Sequence, residues 1–241
     1  MKRSDNLKEE YFTRFPNKYL MGDTIGKMEI NRKFFIVYIL IDRYRSYENY
    51  SWITIKEIFD IYGYSKPIRK NKAFNDILDV LVYMIKNDMI KIYQNLNEIS
   101  FDTGIKIKII PQNFYDENNF TKFSTTHFKK IIIAGNSYNK DDILIVFLYI
   151  CSFIGMGGNK KPAAFYKSLI RMSKDTGLNK KAIQAALLFL LDCSNQNQSL
   201  LIKEEPPKGK HLPNIYVLNK PGYEREIDLA KKELIGDSRN D

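Results

Sequence analysis

Side chains that can bind an anion or make paired hydrogen bonds are concentrated in two segments of this 241-residue chain. Residues 64–72 carry four cations and no acidic residue, and residues 179–184 place two lysines between an asparagine and a glutamine. Lysine and arginine bind phosphate oxygens, and the amides of Asn and Gln can pair with the edge of adenine. The candidate residues are Lys66, Arg69, Lys70, Asn71, Lys72 and Asn75 in the first group, and Asn179, Lys180, Lys181 and Gln184 in the second.

Both groups lie at the start of a segment with the apolar spacing of a helix. The apolar residues of 73–87 form a continuous helical stripe, and Asn179 is a good N-cap for a helix over 180–192. Cations at the N-terminus of a helix are repelled by the positive end of the helix dipole, so they do not stabilise the helix. The cluster in 64–72 therefore favours a bound polyanion over a role in helix stability. The alternative is that these are ordinary solvated residues beside a helix N-terminus.

The helices that carry these groups belong to a pattern that occurs twice. The apolar runs that contain Ile36 and Ile145 lie 109 positions apart, and the later apolar runs that contain Leu81 and Leu190 have the same separation. Two helical stretches therefore keep one register. The residue identities between the two copies are weak, so an old duplication and two unrelated helical units are both compatible with the sequence.

Two strands are predicted after the second helical stretch of each copy. Their bounds are 89–93 and 105–109 in the first copy, and 200–203 and 214–218 in the second. Across the copies Ile92 is matched with Ile202 and Ile109 with Val217, so that only loop lengths differ. The expected fold class is mainly α with small β-hairpins, an α+β protein made of two tandem winged-helix domains.

Local signals predict several helix boundaries. In the first copy Thr54 and Glu57 have the spacing of a capping box for a helix over 55–62, which Gly63 ends. In the second copy Asp141 or Asp142 is expected to open a helix to residue 154, and residues 163–176 are predicted to be helical. The loop 204–213 is the expected wing, and its cations Lys208, Lys210 and His211 would contact phosphate groups. In the first copy the wing strand carries Lys106 and Lys108, which would do the same.

The chain divides on this basis into five parts. They are an N-terminal extension (1–30), a first winged-helix domain (31–111), a polar but aromatic linker (112–126), a second winged-helix domain (127–220) and a C-terminal tail (221–241). Only a strand near 19–21 is predicted in the extension, and the tail is expected to form a helix over 224–234.

The charge balance points to a polyanionic partner. The chain has 38 Lys and Arg against 28 Asp and Glu, a net charge of +10, and division after Pro111 leaves a net charge of +5 in each half. Nucleic acid is favoured over a membrane surface because no amphipathic basic helix or lipidation motif is present. The alternative is an AT-rich genome, which would also enrich lysine.

Composition further predicts a cytoplasmic protein. The longest apolar run, 143–154, is shorter than the ~20 residues that cross a bilayer, and the charged N-terminus has no secretory signal. Cys151 and Cys193 lie in apolar helical patterns, which is typical of buried thiols in a reducing compartment.

Catalytic chemistry is not expected. The chain has two histidines, His127 and His211, too few for a histidine metal cluster, and the glycine-rich segment 155–161 lacks the Gly-Lys-Ser/Thr ending of a phosphate loop. We therefore expect no enzyme activity, no metal and no cofactor.

The segments 168–183, 200–203 and 213–218 resemble the winged-helix domains of bacterial replication-initiation proteins, which include Rep-type plasmid initiators and primosomal helicase-loading proteins. The resemblance implies sequence-specific binding to double-stranded DNA, with tandem winged helices on origin repeats. It also implies two candidate protein partners, a second copy bound through the first domain and the replication proteins that a plasmid or phage initiator recruits.

The same unit serves other functions, and two alternatives stay open. One is a transcriptional regulator that binds an inverted repeat, and the other is a winged-helix module that binds protein. The chain departs from the Rep-type pattern in its long segment before the first helix, residues 1–30.

Overall fold

The computed structural model describes residues 11–20, 31–67, 70–132, 138–154, 162–192, 199–206 and 212–237, which form a mixed structure of helices and small antiparallel sheets. The helices are α1 (Phe34–Arg43), α2 (Ile55–Tyr62), α3 (Lys72–Lys86), α4 (Pro111–Phe114), α5 (Thr125–Ile132), α6 (Lys140–Ile154), α7 (Leu169–Thr176), α8 (Lys180–Leu190) and α9 (Tyr223–Asp237). The strands are β1 (Phe12–Pro16), β2 (Tyr50–Ile53), β3 (Ile90–Ile92), β4 (Ile105–Ile109), β5 (Phe120–Ser124), β6 (Ala164–Phe165), β7 (Leu201–Glu204) and β8 (Ile215–Leu218). This composition agrees with the predicted α+β class.

Two units of the chain share one order of elements. Each has a helix, a strand, two further helices and two strands: α1-β2-α2-α3-β3-β4 in the first unit and α6-β6-α7-α8-β7-β8 in the second. In each three-stranded antiparallel sheet the last strand lies in the middle, in the orders β2-β4-β3 and β6-β8-β7. The predicted repeat is therefore present in the topology.

The predicted alignment of the strands is wrong by one residue. Ile109 and Ile92 pack against the main core, whereas Val217 and Ile202 belong to a smaller apolar cluster on the other face of their sheet. Successive side chains of a strand point to opposite faces, so a slip of one residue exchanges core and outer positions. Leu218 packs against the main core and is the equivalent of Ile109, which restores the separation of 109 positions found in the helices.

The two units share one hydrophobic core. Helix α1 is buried along nearly its whole length and contacts α6, in which every residue except Phe153 is buried. Because both helices are apolar on all sides, neither unit can enclose its first helix alone. The predicted linker, 112–126, contains most of α4 and all of β5, and β5 packs against α6.

The described part of the N-terminal extension is joined to this core. Strand β1 pairs with β5 in an antiparallel two-stranded sheet, and the side chains of Thr13 and Phe15 are buried. The strand predicted near Tyr19 and Leu20 is wrong, because Asn17–Tyr19 form a single 3-10 turn. The alternating burial of β1 depends on a partner about a hundred residues away, which local spacing does not reveal.

Local capping predictions agree with the structure at two helices, α2 and α8. Thr54 and Glu57 form the reciprocal hydrogen bonds of a capping box at α2, and Gly63 ends that helix in the left-handed conformation, with φ of 68°. Asn179 caps α8, which ends at Leu190, two residues earlier than predicted.

Two helix starts in the second unit differ from the prediction. The cap of α6 is Asn139, whose Oδ1 accepts from the backbone N–H groups of Asp141 and Asp142 at 3.0 and 3.3 Å, so the two acids lie in the first turn. Residues 163–168 are not helical, because β6 is extended and pairs with β8, and α7 begins only after Ser168.

Helix α9 covers the outer face of the second sheet. Its residues Ile227, Ala230 and Leu234 pack with Ile215 and Val217 in the smaller apolar cluster. The predicted tail helix is confirmed and is slightly longer than expected. In the described part of the chain, no helix has the length and apolar character needed to span a membrane.

Candidate nucleic-acid interface

The start of α8 presents free polar side chains to solvent. Lys180, Lys181 and Gln184 are exposed, and no hydrogen bond or ion pair within the described residues engages their side chains. The side chain of Asn179 accepts a hydrogen bond from the backbone N–H of Ala182 at 2.8 Å. A bidentate contact from Asn179 to adenine would therefore require this capping bond to break.

The turn before α8 is held in one conformation by local hydrogen bonds. Gly177 ends α7 with φ of 66°, a left-handed conformation that favours glycine. The hydroxyl of Ser173 donates to the carbonyl of Leu178 at 2.7 Å, and the side chain of Leu178 is buried in the core. These contacts position the first turn of α8 relative to α7.

Helix α7 is in turn attached to α6 through a buried acid. The hydroxyl of Tyr149 donates to Asp175 Oδ2 at 2.6 Å, and Arg171 Nε donates to the same oxygen at 2.8 Å. Burial, reinforced by Asp175, raises the pKa of Tyr149 well above its usual value, so this phenol remains a donor. The helix pair α7–α8 is thus fixed to the central core.

A surface cleft lies beside the start of α8. It is formed by the start of α7, the start of α8 and the segment 212–214, and its rim includes Lys167 and Lys180. Ile170 also lines the cleft, and 67% of its surface is exposed. The predicted wing cations, Lys208, Lys210 and His211, lie outside the described residues.

Two of the equivalent cations of the first unit, Lys66 and Lys70, make contacts within the chain. Lys66 Nζ forms an ion pair with Asp102 at 2.7 Å, and this hydrogen bond holds the pKa of Asp102 below its usual value. Lys70 Nζ donates to the carbonyl of Asn97 at 2.8 Å. Both partners belong to the loop between β3 and β4, so the two lysines tie the turn before α3 to this loop.

The other first-unit candidates are divided between α3 and the sheet. Lys72 and Asn75 are exposed on α3, and Asn71 Oδ1 caps the helix by accepting from the N–H of Phe74 at 2.9 Å. Lys106 and Lys108 lie on the outer face of the sheet, opposite to the face that packs against the helices. Arg69 lies outside the described residues.

A buried polar junction between the units was not predicted. The hydroxyl of Tyr62 donates to Asp141, and Lys33 Nζ lies 3.7 Å from the other oxygen of this carboxylate. The same ammonium group lies 3.8 Å from the centre of the Tyr62 ring. Burial raises the pKa of Asp141 despite the nearby cation.

A second pair extends this junction. Arg32 Nη1 donates to Asp142 Oδ1 at 2.9 Å, so the two cations and the two acids are paired crosswise at the starts of α1 and α6. The sequence contains a signal for this arrangement, because Arg32 and Lys33 precede Asp141 and Asp142 by the same 109 positions as the apolar runs. Opposite charges at equivalent positions of a repeat indicate that the copies contact each other there.

Comparison of the chain with models of known protein families found no match, and a search of curated protein sequences found no significant similarity.

Proposed function

We propose that this protein binds double-stranded DNA sequence-specifically through two tandem winged helices. The observation that carries the proposal is the set of free polar side chains at the start of α8, directly after a tight turn from α7. The shared topology supports the winged-helix interpretation. In each unit a helix pair precedes a two-stranded hairpin, and the strand that precedes the helix pair, β2 or β6, is the third strand of the sheet.

The size of the major groove suits this helix end. A groove about 12 Å wide admits a helix whose first turn faces the base edges. Lys180 and Lys181 would contact phosphate or guanine, and Gln184 could pair with adenine. Two lysines, Lys167 and Lys180, line the cleft beside α8, which favours a phosphate group at this position.

The second unit is the stronger candidate for the main DNA contact. Lys180 and Lys181 have no internal partner among the described residues, whereas Lys66 and Lys70 are held by the loop between β3 and β4. Contact of Lys66 with a phosphate would first require its ion pair with Asp102 to open. The first unit would contribute through the exposed residues Lys72 and Asn75.

The test is a measurement of affinity for a labelled duplex of about two helical turns as salt rises from about 50 to 200 mM. The logarithm of the affinity should fall with the logarithm of the salt concentration, with a slope of roughly 0.9 for each phosphate contact. Affinity that does not change with salt would contradict DNA binding.

A charge reversal locates the site. The double change Lys180→Glu and Lys181→Glu is expected to abolish duplex binding without unfolding the protein, because both side chains are exposed. The matched control is Lys129→Glu with Lys130→Glu in α5, which lowers the net charge equally. If both variants lose affinity to the same extent, binding depends on total charge and not on α8.

The biological role that we propose is initiation of plasmid or phage replication at origin repeats, with recruitment of replication proteins. Its support is the resemblance of the second unit to initiator domains and the presence of two such units in one chain. Binding selection from fragments of the DNA that carries the gene tests this role. Short direct repeats support initiation, whereas a single inverted repeat beside a promoter indicates a transcriptional regulator.

One observation favours binding of a protein by the same unit. Ile170 and Leu188 are 67% and 68% exposed on α7 and α8, and they offer apolar surface to a partner protein. A protein-binding module would show weak, salt-insensitive affinity for DNA. Changing Ile170 and Leu188 to Ser should leave duplex binding intact if α8 reads DNA.

A further inference from the structure

The outer face of the first sheet combines aromatic rings with lysines. We call it the aromatic–lysine face, and it consists of Tyr50, Trp52, Lys91, Lys106 and Lys108. These residues alternate along β2, β3 and β4 with the buried residues of the core. No acidic residue occupies an outward position of these three strands.

The strand register brings the charges together. Lys108 lies directly between Tyr50 on one neighbouring strand and Lys91 on the other, and Lys106 lies opposite Trp52. Lys91 and Lys108 carry like charges at paired positions of the ladder, which is unfavourable for the isolated sheet, and Lys108 Nζ donates to the carbonyl of Glu48 at 2.7 Å. A bound anion would remove that repulsion.

The lysines also flank accessible aromatic surface. Lys106 Nζ lies 4.7 Å from the Tyr50 ring centre and 5.7 Å from that of Trp52, and Lys108 Nζ lies 4.2 Å from the Tyr50 ring centre. Trp52 is 56% exposed, and Tyr93, directly after β3, is 72% exposed. The ammonium groups lie over the rings, so a base that stacks on the exposed part of Trp52 would meet Lys106 beside it. Exposed rings with cations close to them are the elements of a surface on which unpaired bases stack.

Comparison of the two units sharpens the inference. In the second unit the corresponding face of the sheet carries Ala164, Ile215 and Val217, and helix α9 covers it. In the first unit Trp52 and Lys91 are exposed, and within the described chain no helix packs on the outer face of this sheet. The outer faces of the two sheets therefore differ: that of the second sheet is an apolar contact with a helix, and that of the first is a basic aromatic surface.

We propose that the aromatic–lysine face binds single-stranded DNA, with a base stacked on Trp52 and phosphates contacting Lys91 and Lys106. A duplex does not fit this role, because its bases are already stacked and a flat sheet face does not enter a groove. A second copy is disfavoured because it would bring two sets of three lysines together. The choice of DNA over RNA rests on the proposed duplex binding.

Trp52 is the only tryptophan of the chain, so its fluorescence reports this face directly. Addition of an oligothymidylate of about ten nucleotides at low salt should quench Trp52 emission in a saturable and salt-dependent manner. The double change Lys91→Glu and Lys106→Glu should abolish this quenching. With a labelled oligonucleotide, Trp52→Ala should lower affinity by roughly tenfold and Trp52→Phe by less, because a ring remains for stacking.

The α8 variant separates this inference from the proposed duplex site. Lys180→Glu with Lys181→Glu should retain the oligothymidylate quenching while it loses duplex binding, and Lys91→Glu with Lys106→Glu should do the reverse. If the wild-type protein binds the duplex but oligothymidylate does not quench Trp52 emission, the single-strand proposal is wrong. The duplex proposal would stand.

Three other results would also overturn the single-strand proposal. They are tighter binding of oligouridylate, quenching that survives Lys91→Glu with Lys106→Glu, and a blue shift of Trp52 emission that depends on protein concentration without DNA. The last result would assign the face to contact between two copies.

Discussion

Buried carboxylates at the ends of the two core helices are held by tyrosine hydroxyls as well as by cations. Asp42, near the end of α1, accepts from the hydroxyls of Tyr11 at 2.9 Å and Tyr115 at 2.5 Å. Asp141, at the start of α6, accepts from Tyr62. Burial raises the pKa of each of these tyrosines, so they remain donors throughout the physiological pH range.

Removal of the Asp141 carboxylate should destabilise the protein. Asp141→Ala leaves Lys33 and the Tyr62 hydroxyl buried without this partner, and we expect a loss of about 3 kcal/mol in the free energy of unfolding. Asp141→Asn still accepts from Tyr62 and should cost about 1 kcal/mol. Urea denaturation of both variants tests this difference, and equal losses would contradict a role for the hydrogen bond.

The same residue should produce a pH dependence with a defined sign. Burial raises the pKa of Asp141 in the folded protein, so folding favours the protonated form. Its contribution to stability is therefore present below the unfolded pKa of about 4 and is lost as pH rises through the folded pKa. Relative to Asp141→Asn, the wild-type protein should become less stable as pH rises from about 4 toward neutrality. A constant difference in this interval would contradict the raised pKa.

Asn179 allows capping to be separated from DNA contact. Asn179→Ala should lower the free energy of unfolding by about 1 kcal/mol, because the N–H of Ala182 loses its acceptor. Asn179→Ser retains a capping oxygen and should preserve stability. If Asn179→Ser keeps duplex affinity, the residue acts only as a cap, whereas a selective loss of affinity would indicate a contact to DNA.

At the scale of elements, the two sheets have similar strand orders and different environments. The second sheet is buried on both faces, between the main core and α9, whereas the first has one solvated face. Helix α9 therefore contributes stability to the second unit that has no counterpart in the first. The contact is apolar, through side chains that recur at helical spacing.

Truncation of that contact should weaken the second unit. Ile227→Ala with Leu234→Ala removes two largely buried side chains, and we expect a loss of about 4 kcal/mol in the free energy of unfolding. The exposed Lys232→Ala on the same helix is the control. Stability of the double variant equal to that of the control would show that α9 is not needed to cover the sheet.

At the scale of the whole molecule, the two units contact each other through α1 and α6. The crosswise pairs, Arg32 with Asp142 and Lys33 with Asp141, indicate an approximate two-fold relation between the starts of these helices. If the two units bind DNA as proposed, their surfaces would have a fixed spacing, which favours binding sites of defined separation.

A shared core predicts a single unfolding transition. Phe147→Ala in α6 removes a fully buried ring of the second unit, at a cost of about 4 kcal/mol. Because the core is continuous, the urea midpoint recorded by Trp52 in the first unit should fall together with the midpoint recorded by circular dichroism. An unchanged Trp52 midpoint would show that the units unfold independently.

The features that sequence predicted correctly depend on neighbouring residues. The capping box of Thr54 and Glu57, the left-handed Gly63 and the cap Asn179 each involve contacts within a few positions. The repeated helices are recognisable from the apolar spacing of the sequence, because every apolar position of a helix is constrained by the same core. The sequence does not show which candidate cations lack a partner within the chain. Asp102 and Asn97 contact Lys66 and Lys70 only once the loop between β3 and β4 has folded.

The sequence by itself determined the longer helices, the caps Thr54 and Asn179, the repeat and the positive charge, since these follow from local propensity, periodicity and composition. Only the tertiary structure decided the strand register, the pairing of β1 with β5 and of β6 with β8, and the crosswise ion pairs between the units. These depend on residues far apart in the chain, whose contact is specified by the closure of the common core. The same closure leaves the side chains at the start of α8 and the aromatic–lysine face exposed to solvent.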